Sequence, residues 1–254
     1  MHLHQKRLRN PRGDTLDTPL TSRLASPIRQ FGWKEGLIYL LAKGLSLVSA
    51  GKMQLIRYHL VAQPVPQTSP ERPLPPGART SIDFLTAEDP IVAQFPRASR
   101  IIARRFANGD RCIAARTDNR FTGYIWFARN QYHEDTVRCL YVLAEPTRGV
   151  WDYDVYVDPD FRMGRTFSRL WSTANRHLAA EGVRWSYSRI AAANPQSIDS
   201  HRRLGIRTLY SANFVRLGSW QLMLAGAPPY IHLSTSPGTA PTLQLRPPAE
   251  QPPS

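Results

Sequence analysis

The chain has 254 residues, with 33 Lys and Arg against 19 Asp and Glu for a formal net charge of +14, together with 22 prolines and two cysteines. That length buries a full core and fits one domain of roughly 150 to 200 residues with extensions. Two cysteines without Cys-x-x-Cys spacing and with no histidine at ligand distance argue against a disulfide or a metal site, and favour Cys112 and Cys139 as buried small hydrophobes.

The charge is uneven, since residues 1–80 hold twelve Lys and Arg and four Asp and Glu. A basic surplus favours anionic partners without choosing among cofactor phosphates, an acidic carrier protein, lipid headgroups and nucleic acid. The first residues, MHLHQKRLRNPRGDTLD, have neither an apolar core nor a cleavage pattern; a reduced, cytoplasmic setting is the expectation.

Residues 1–30 read as polar and basic. From Gly32 to Val61 the apolar residues Leu37, Leu40, Leu41, Leu45 and Val48 recur at helical spacing. Lys43 sits too centrally, and the run is too short, for a membrane-spanning helix. Two placements stay open: packing on the domain or an oligomer partner, or lying in the plane of a membrane surface with the lysines at the headgroups, a peripheral contact through 33–60. Prolines crowd into Gln63–Gly77 and Ala227–Ser254, which read as a linker and a loosely ordered tail.

Ile82–Thr86 predicts a strand, and Pro90–Asn108 a helix broken at Pro96. Cys112–Arg116, Phe121–Arg129 and Cys139–Leu143 predict consecutive antiparallel strands. In the strand Trp151–Val157, alternation puts Trp151, Tyr153, Val155 and Val157 on one face and Asp152, Asp154 and Tyr156 on the other. Phe167, Leu170, Trp171, Ala174 and Leu178 mark an amphipathic helix stopped by Gly182. Val183–Ala191 predicts a strand, and a short helix opens with Asn194 as cap and Pro195 in its first turn, closing at Gly205. Leu209–Leu217 and Trp220–Leu224 flank Gly218-Ser219, a two-residue hairpin turn with glycine first.

The sum is an α/β chain with a mixed, mostly antiparallel central sheet flanked by helices. Two motifs carry the chemistry. A strand ending at Asp158-Pro159 opens a loop with Arg162 and Gly164 and enters a helix, an arrangement suited to a phosphorylated ligand. Further on, Asn194, Ser197 and His201 stand at offsets of 0, 3 and 7, on one helical face.

These motifs resemble the GCN5-related N-acetyltransferase (GNAT) superfamily over about Thr80–Leu224. The resemblance implies the GNAT acyltransferase fold for an acyltransferase-like domain (80–226) and leaves the rest to composition: a basic N-terminal extension with an amphipathic helix (1–62), a proline-rich linker (63–79) and a proline-rich tail (227–254). It implies transfer of an acyl group from acetyl-CoA or another acyl-CoA to a small-molecule amine, without a metal. In the family the strand before the loop leaves its last backbone groups, here Val155, Tyr156 and Val157, for the pantetheine arm. The loop from Arg162 through Met163, Gly164, Arg165, Thr166 and Phe167 corresponds to the pyrophosphate cradle, although Arg165 and Phe167 stand where the family has small residues. A carrier-bound acyl donor is the alternative this departure leaves open, and so is a GNAT-fold protein that binds a ligand or partner without turnover.

Asn194 and Ser197 correspond to the pantetheine-contacting helix. His201 replaces the family tyrosine that protonates the leaving thiolate, and an imidazole can serve as that acid; the bland reading has His201 and Ser197 hydrogen-bonding within the helix. Asp154 is the first candidate for the base and Asp152 the second, with the Val157 N–H as oxyanion donor. Acceptor loops are expected at Asn130–Asp135 and Glu145–Gly149. No nucleic-acid motif is present, so a nucleic-acid partner is not expected.

Overall fold

The structure is a computed structural model that describes residues 27–30, 32–68, 79–236 and 238–249; the basic segment before residue 27 and most of the expected linker lie outside them. Helix α1 spans Trp33–Val48. It stops there because Ala50 and Gly51 both take left-handed backbone, with φ of 50° and 81°, which no right-handed helix continues through. The chain then enters strand β1, Met53–Pro64. Residues 53–61 are therefore extended, and the boundary drawn after residue 62 is corrected, because it falls inside this strand. Tyr58, Leu60 and Ala62 alternate into the core, the two-residue period that a half-buried strand imposes.

The remaining elements follow in order: β2 Thr80–Leu85, a 3-10 turn at Pro90–Gln94, α2 Ser99–Ala107, β3 Arg111–Thr117, β4 Arg120–Ala128, β5 Gln131–His133, β6 Leu140–Leu143 and β7 Gly149–Val157. Next come α3 Thr166–Ala180, β8 Trp185–Ala191, α4 Pro195–Arg202, β9 Arg207–Leu217, β10 Trp220–Ala225, β11 Ile231–Ser234 and β12 Thr242–Leu245. Gly218 opens the β9–β10 hairpin with φ +58°, the left-handed position that the Gly-Ser pair predicts.

Nine strands form one sheet in the order β11-β10-β9-β1-β8-β7-β4-β3-β2. Every neighbouring pair is antiparallel except β7 and β8. Strand β1 lies inside this sheet, bonded to β8 on one side and β9 on the other. The architecture is therefore the expected α/β one, a mixed and mostly antiparallel sheet with helices on its faces. The expected meander ends one strand early: β6 leaves the main sheet and joins a three-stranded sheet of order β12-β6-β5. The reason lies in the proline-rich C-terminal stretch, where Thr242–Leu245 runs parallel along β6 with Leu243 and Leu245 fully buried. That stretch is thus part of the fold, not a loose tail.

Two cores result. On one face Phe95, Ile102, Trp126, Tyr153, Tyr141 and Leu243 join α2 and the small sheet to the large one. On the other, Leu170, Trp171, Ala174 and Leu178 of α3 pack on Ile113, Ile125, Phe127 and Val150. Cys112 and Cys139 are free and buried, and burial pushes both thiols up, Cys139 to about 12.

Candidate active site

The site begins where β7 and β8 part. They pair in parallel only at Gly149–Trp185, Val150–Ser186 and Trp151–Tyr187. Beyond Trp151, β7 stays with β4 as far as Gly123–Val157, and β8 stays with β1 as far as Tyr58–Ala191. The two middle strands are pulled apart by their outer neighbours, and a cavity of about 620 Å³ opens between them, lined by Val155, Ser188, Ile190, Asn194, Ser197 and His201.

Backbone direction follows from the ladder. The Asp158 N–H donates to Thr122 O at 2.9 Å, and antiparallel pairs alternate between bonded and non-bonded positions. Val157 therefore turns its N–H and C=O away from β4, into the opening, while the backbone of Tyr156 turns toward Tyr124. Of the three residues expected to leave backbone groups for a ligand, Tyr156 does not fit; its ring stacks on Phe121 at 5.9 Å instead. The Val157 carbonyl accepts from Arg162 Nε at 3.1 Å.

The expected alternation along β7 also breaks. Asp154 has φ +47°, and the β4–β7 register slips between Tyr124 and Trp126, a β-bulge. One extra residue exchanges the faces: Tyr153 and Tyr156 both join the aromatic core, whereas Val155 and Val157 pack with Phe167 on the α3 side. Asp154 is thereby aimed at α2 and the preceding loop. Its carboxylate accepts from Arg97 Nε at 3.0 Å, Arg105 Nη1 at 2.7 Å and Tyr124 Oη at 3.0 Å. Burial raises its pKa, but Arg97 and Arg105 outweigh burial and hold it below the ordinary carboxylate value. A carboxylate so occupied is a poor proton acceptor, so the base role expected of Asp154 does not suit its surroundings.

Asp152 has the opposite character. It is buried and accepts from Ser186 Oγ at 2.7 Å. Burial pushes its carboxyl up to about 6, opposed by the charge of His201 and by the Ser186 and Ser188 hydroxyls. Asp152 and His201 line the same cavity.

His201 is held from three directions. Its Nδ1 lies 2.8 Å from Ser197 O; a carbonyl only accepts, so Nδ1 carries the proton and Nε2 is the nitrogen left to exchange one. Phe167 and Trp171 meet the imidazole edge-on at 5.7 and 5.9 Å. Phe167, which follows the loop opened by Arg162, thus packs directly on His201. Asn194 caps α4, accepting from the Ser197 N–H at 3.1 Å. The expected triple of Asn194, Ser197 and His201 is thus brought together, and its members also bond within the helix.

At the loop, Pro159–Phe161 forms a 3-10 turn and Gly164 N–H donates to Phe161 O at 3.1 Å. Arg162, Met163 and Arg165 are exposed, Thr166 and Phe167 half-buried. No side chain caps α3. Its first intrahelical bond is Arg169 N–H to Arg165 O, which leaves the N–H groups of Thr166, Phe167 and Ser168 at a positive helix end beside two arginines.

Arg97, Arg105, Tyr124, Ser186 and Ser188 escape a sequence reading. Arg105 alone leaves a trace, three positions after buried Ile102 on the inner side of α2. Glu134, whose side chain is fully buried, clamps Arg189 of β8 at 2.6 and 2.7 Å. It belongs to the loop Asn130–Asp135, which lines an adjoining cavity of about 870 Å³ that shares Arg105, Tyr132, Asp135 and Tyr153 with the first. Glu145–Gly149, the other expected acceptor loop, is not among the residues lining these two cavities.

Fold and opening together define an α/β domain whose mixed sheet is split at its parallel pair. No protein-family model and no curated protein matches the sequence. Solved structures similar to it include a Drosophila protein at 15% identity and TM-score 0.44, covering 67% of this chain and 54% of the other, so the chain spans about half of that protein's length. A putative GNAT-family acetyltransferase from Novosphingobium aromaticivorans is similar at 15% identity and TM-score 0.42, over 64% of this chain and 65% of the other. So is the GCN5-related glucosamine N-acetyltransferase region of a fungal multi-domain β-N-acetylglucosaminidase, at 16% identity and TM-score 0.46, over 68% of this chain and 22% of the other. Likenesses at this level leave the reaction to be read from the site.

Proposed function

We propose that the chain is a GNAT-type N-acyltransferase that passes an acyl group from a thioester donor, acyl-CoA or an acyl carrier, directly to an amine. The observation that carries this reading is the parting of β7 and β8 beyond Trp151, with the Val157 N–H turned into the gap and His201 at its side. An extended pantetheine arm is a strand-like ligand that such a gap accepts by backbone hydrogen bonding. The uncapped start of α3 with Arg162 and Arg165 supplies donors for a pyrophosphate or phosphate.

The amine attacks the thioester carbonyl, whose oxygen takes up charge near the Val157 N–H. The attacking nitrogen gives up a proton to the free Nε2 of His201, the C–S bond breaks, and His201 returns that proton to the thiolate, leaving an amide and a thiol. Buried Asp152 lines the same cavity as His201. Asp154 fixes the β7 bulge through Arg97 and Arg105 and so sets the spacing of the gap. Positioning of two reactants supplies most of the rate.

The test incubates the purified protein with acetyl-CoA and longer acyl-CoA species, reading binding by native mass spectrometry and transfer by thiol release with a panel of primary amines. Retention of an acyl-CoA by wild type, weakened about tenfold in Arg162→Ala as loss of one charge-assisted hydrogen bond predicts, is the expected result. Binding without thiol release for any amine would favour a ligand-binding protein that has lost turnover. No response to any acyl-CoA would remove the CoA reading.

A further inference from the structure

We propose that the outer side of α1 and the uncovered face of β9, β10 and β11 form one docking surface for an anionic lipid bilayer. The strand register puts the relevant side chains on a common face. Leu217 pairs with Trp220, Val215 with Leu222, Leu222 with Leu233, and Leu224 with Ile231. The opposite face carries Phe214 and Met223, both fully buried in the core. On the outer face Trp220 is 57% and Ile231 68% exposed, large apolar side chains that a soluble surface ordinarily covers.

Helix α1 lies on the same side of the sheet. Its Glu35 pairs with Arg57 of β1 at 2.9 Å, and Arg57 points opposite to Tyr58, which enters the core. With that inner side engaged, Trp33, Leu37 and Leu41, spaced four residues apart, face outward, and Val48 at the helix end is 93% exposed. Apolar residues of helix and sheet therefore flank one another on a single side of the molecule.

Charge selects the occupant. Between residues 32 and 68 the only acid is Glu35, which is turned inward; between Asp199 and Glu250 there is none. The elements that build this side carry Lys34, Lys43 and Lys52 and no outward carboxylate. An apolar platform edged by lysines and carrying two tryptophans matches a headgroup region of negative charge above an acyl layer. A second copy of the chain would bring like charges together. No helix among the described residues is long and apolar enough to cross a membrane, so the contact runs along the surface. The inference stands apart from the proposed reaction and uses none of its residues.

Full-length protein is sedimented with phosphatidylcholine vesicles and with vesicles that also contain phosphatidylglycerol. Wild type is expected to bind the second and only weakly the first. Trp220→Ser with Leu233→Ser should lose binding while keeping the wild-type melting temperature. Lys34→Gln with Lys43→Gln, which leaves the apolar face intact, should lower the partition coefficient to phosphatidylglycerol vesicles by on the order of tenfold. Equal binding by wild type and both variants, or no wild-type binding, would overturn the proposal. A dimer seen by native mass spectrometry that Trp220→Ser with Leu233→Ser dissociates, without vesicle binding, would assign the face to a second copy instead.

Discussion

Arg105 and Asp154 are joined at 2.7 Å, at the one residue of β7 that takes left-handed backbone. The pair ties α2 to the β-bulge, so a surface-like sequence feature, an arginine on a short helix, becomes part of what shapes the gap between β7 and β8. Arg105 also lies over the rings of Trp126 and Tyr153 at 5.1 and 4.9 Å.

Asp154→Asn leaves that buried guanidinium without its counterion. A loss of about 3 kcal/mol follows, read as a drop in chemical-denaturation midpoint at pH 7. Because the folded pKa of Asp154 is depressed, its contribution is present above the ordinary carboxylate value and fades as the pH falls through the folded value, below about 4. The difference between wild type and variant should therefore shrink in acid. A difference that stays constant from neutral pH down into acid would show that the ion pair contributes nothing.

His201→Phe retains a ring between Phe167 and Trp171 and removes the exchangeable proton. Donor binding should stay within a few-fold of wild type while kcat falls by about a hundredfold. Isothermal titration and steady-state kinetics separate the two, and an unchanged kcat would move the acid elsewhere.

Asp152→Asn tests a group of opposite sign. Its folded pKa is raised toward about 6 by burial, so its contribution to stability is present below the ordinary value and lost as the pH rises through that range. The amide has no charge to bury, and the variant should gain stability relative to wild type between pH about 4 and 7. In turnover it should lose rate, since the cavity it shares with His201 loses its buried carboxylate. Denaturant midpoints across that range decide the first point and kcat the second.

Leu243→Ala removes a fully buried side chain from β12. The expected cost is about 3 kcal/mol, measured by denaturant unfolding. A cost under about 0.5 kcal/mol would mean that the C-terminal strand adds little to the core.

The long elements were legible because their periodicity is local. Phe167, Leu170, Trp171, Ala174 and Leu178 define α3 within a dozen residues, and Gly218-Ser219 marks its hairpin by turn chemistry alone. The Asn194–His201 face follows from helical geometry once the cap is recognised. Strand β1 was not legible, because its partners β8 and β9 lie more than a hundred residues on. Strand β12 hid among prolines for the same reason: only β6 gives its two leucines a place to be buried.

From the sequence alone come the α/β class, most element types, the Asn194, Ser197 and His201 face and the cationic loop after Val157, all set by short-range spacing and backbone preference. Tertiary structure decided the rest. A bulge of one residue at Asp154 exchanged the faces of β7, turning Asp154 toward Arg97 and Arg105 and setting Val155 and Val157 beside Phe167. Long-range pairing with β1 and β4 opened the gap between β7 and β8. Charges and faces of this kind depend on which strands become neighbours, and no local pattern in the chain records that.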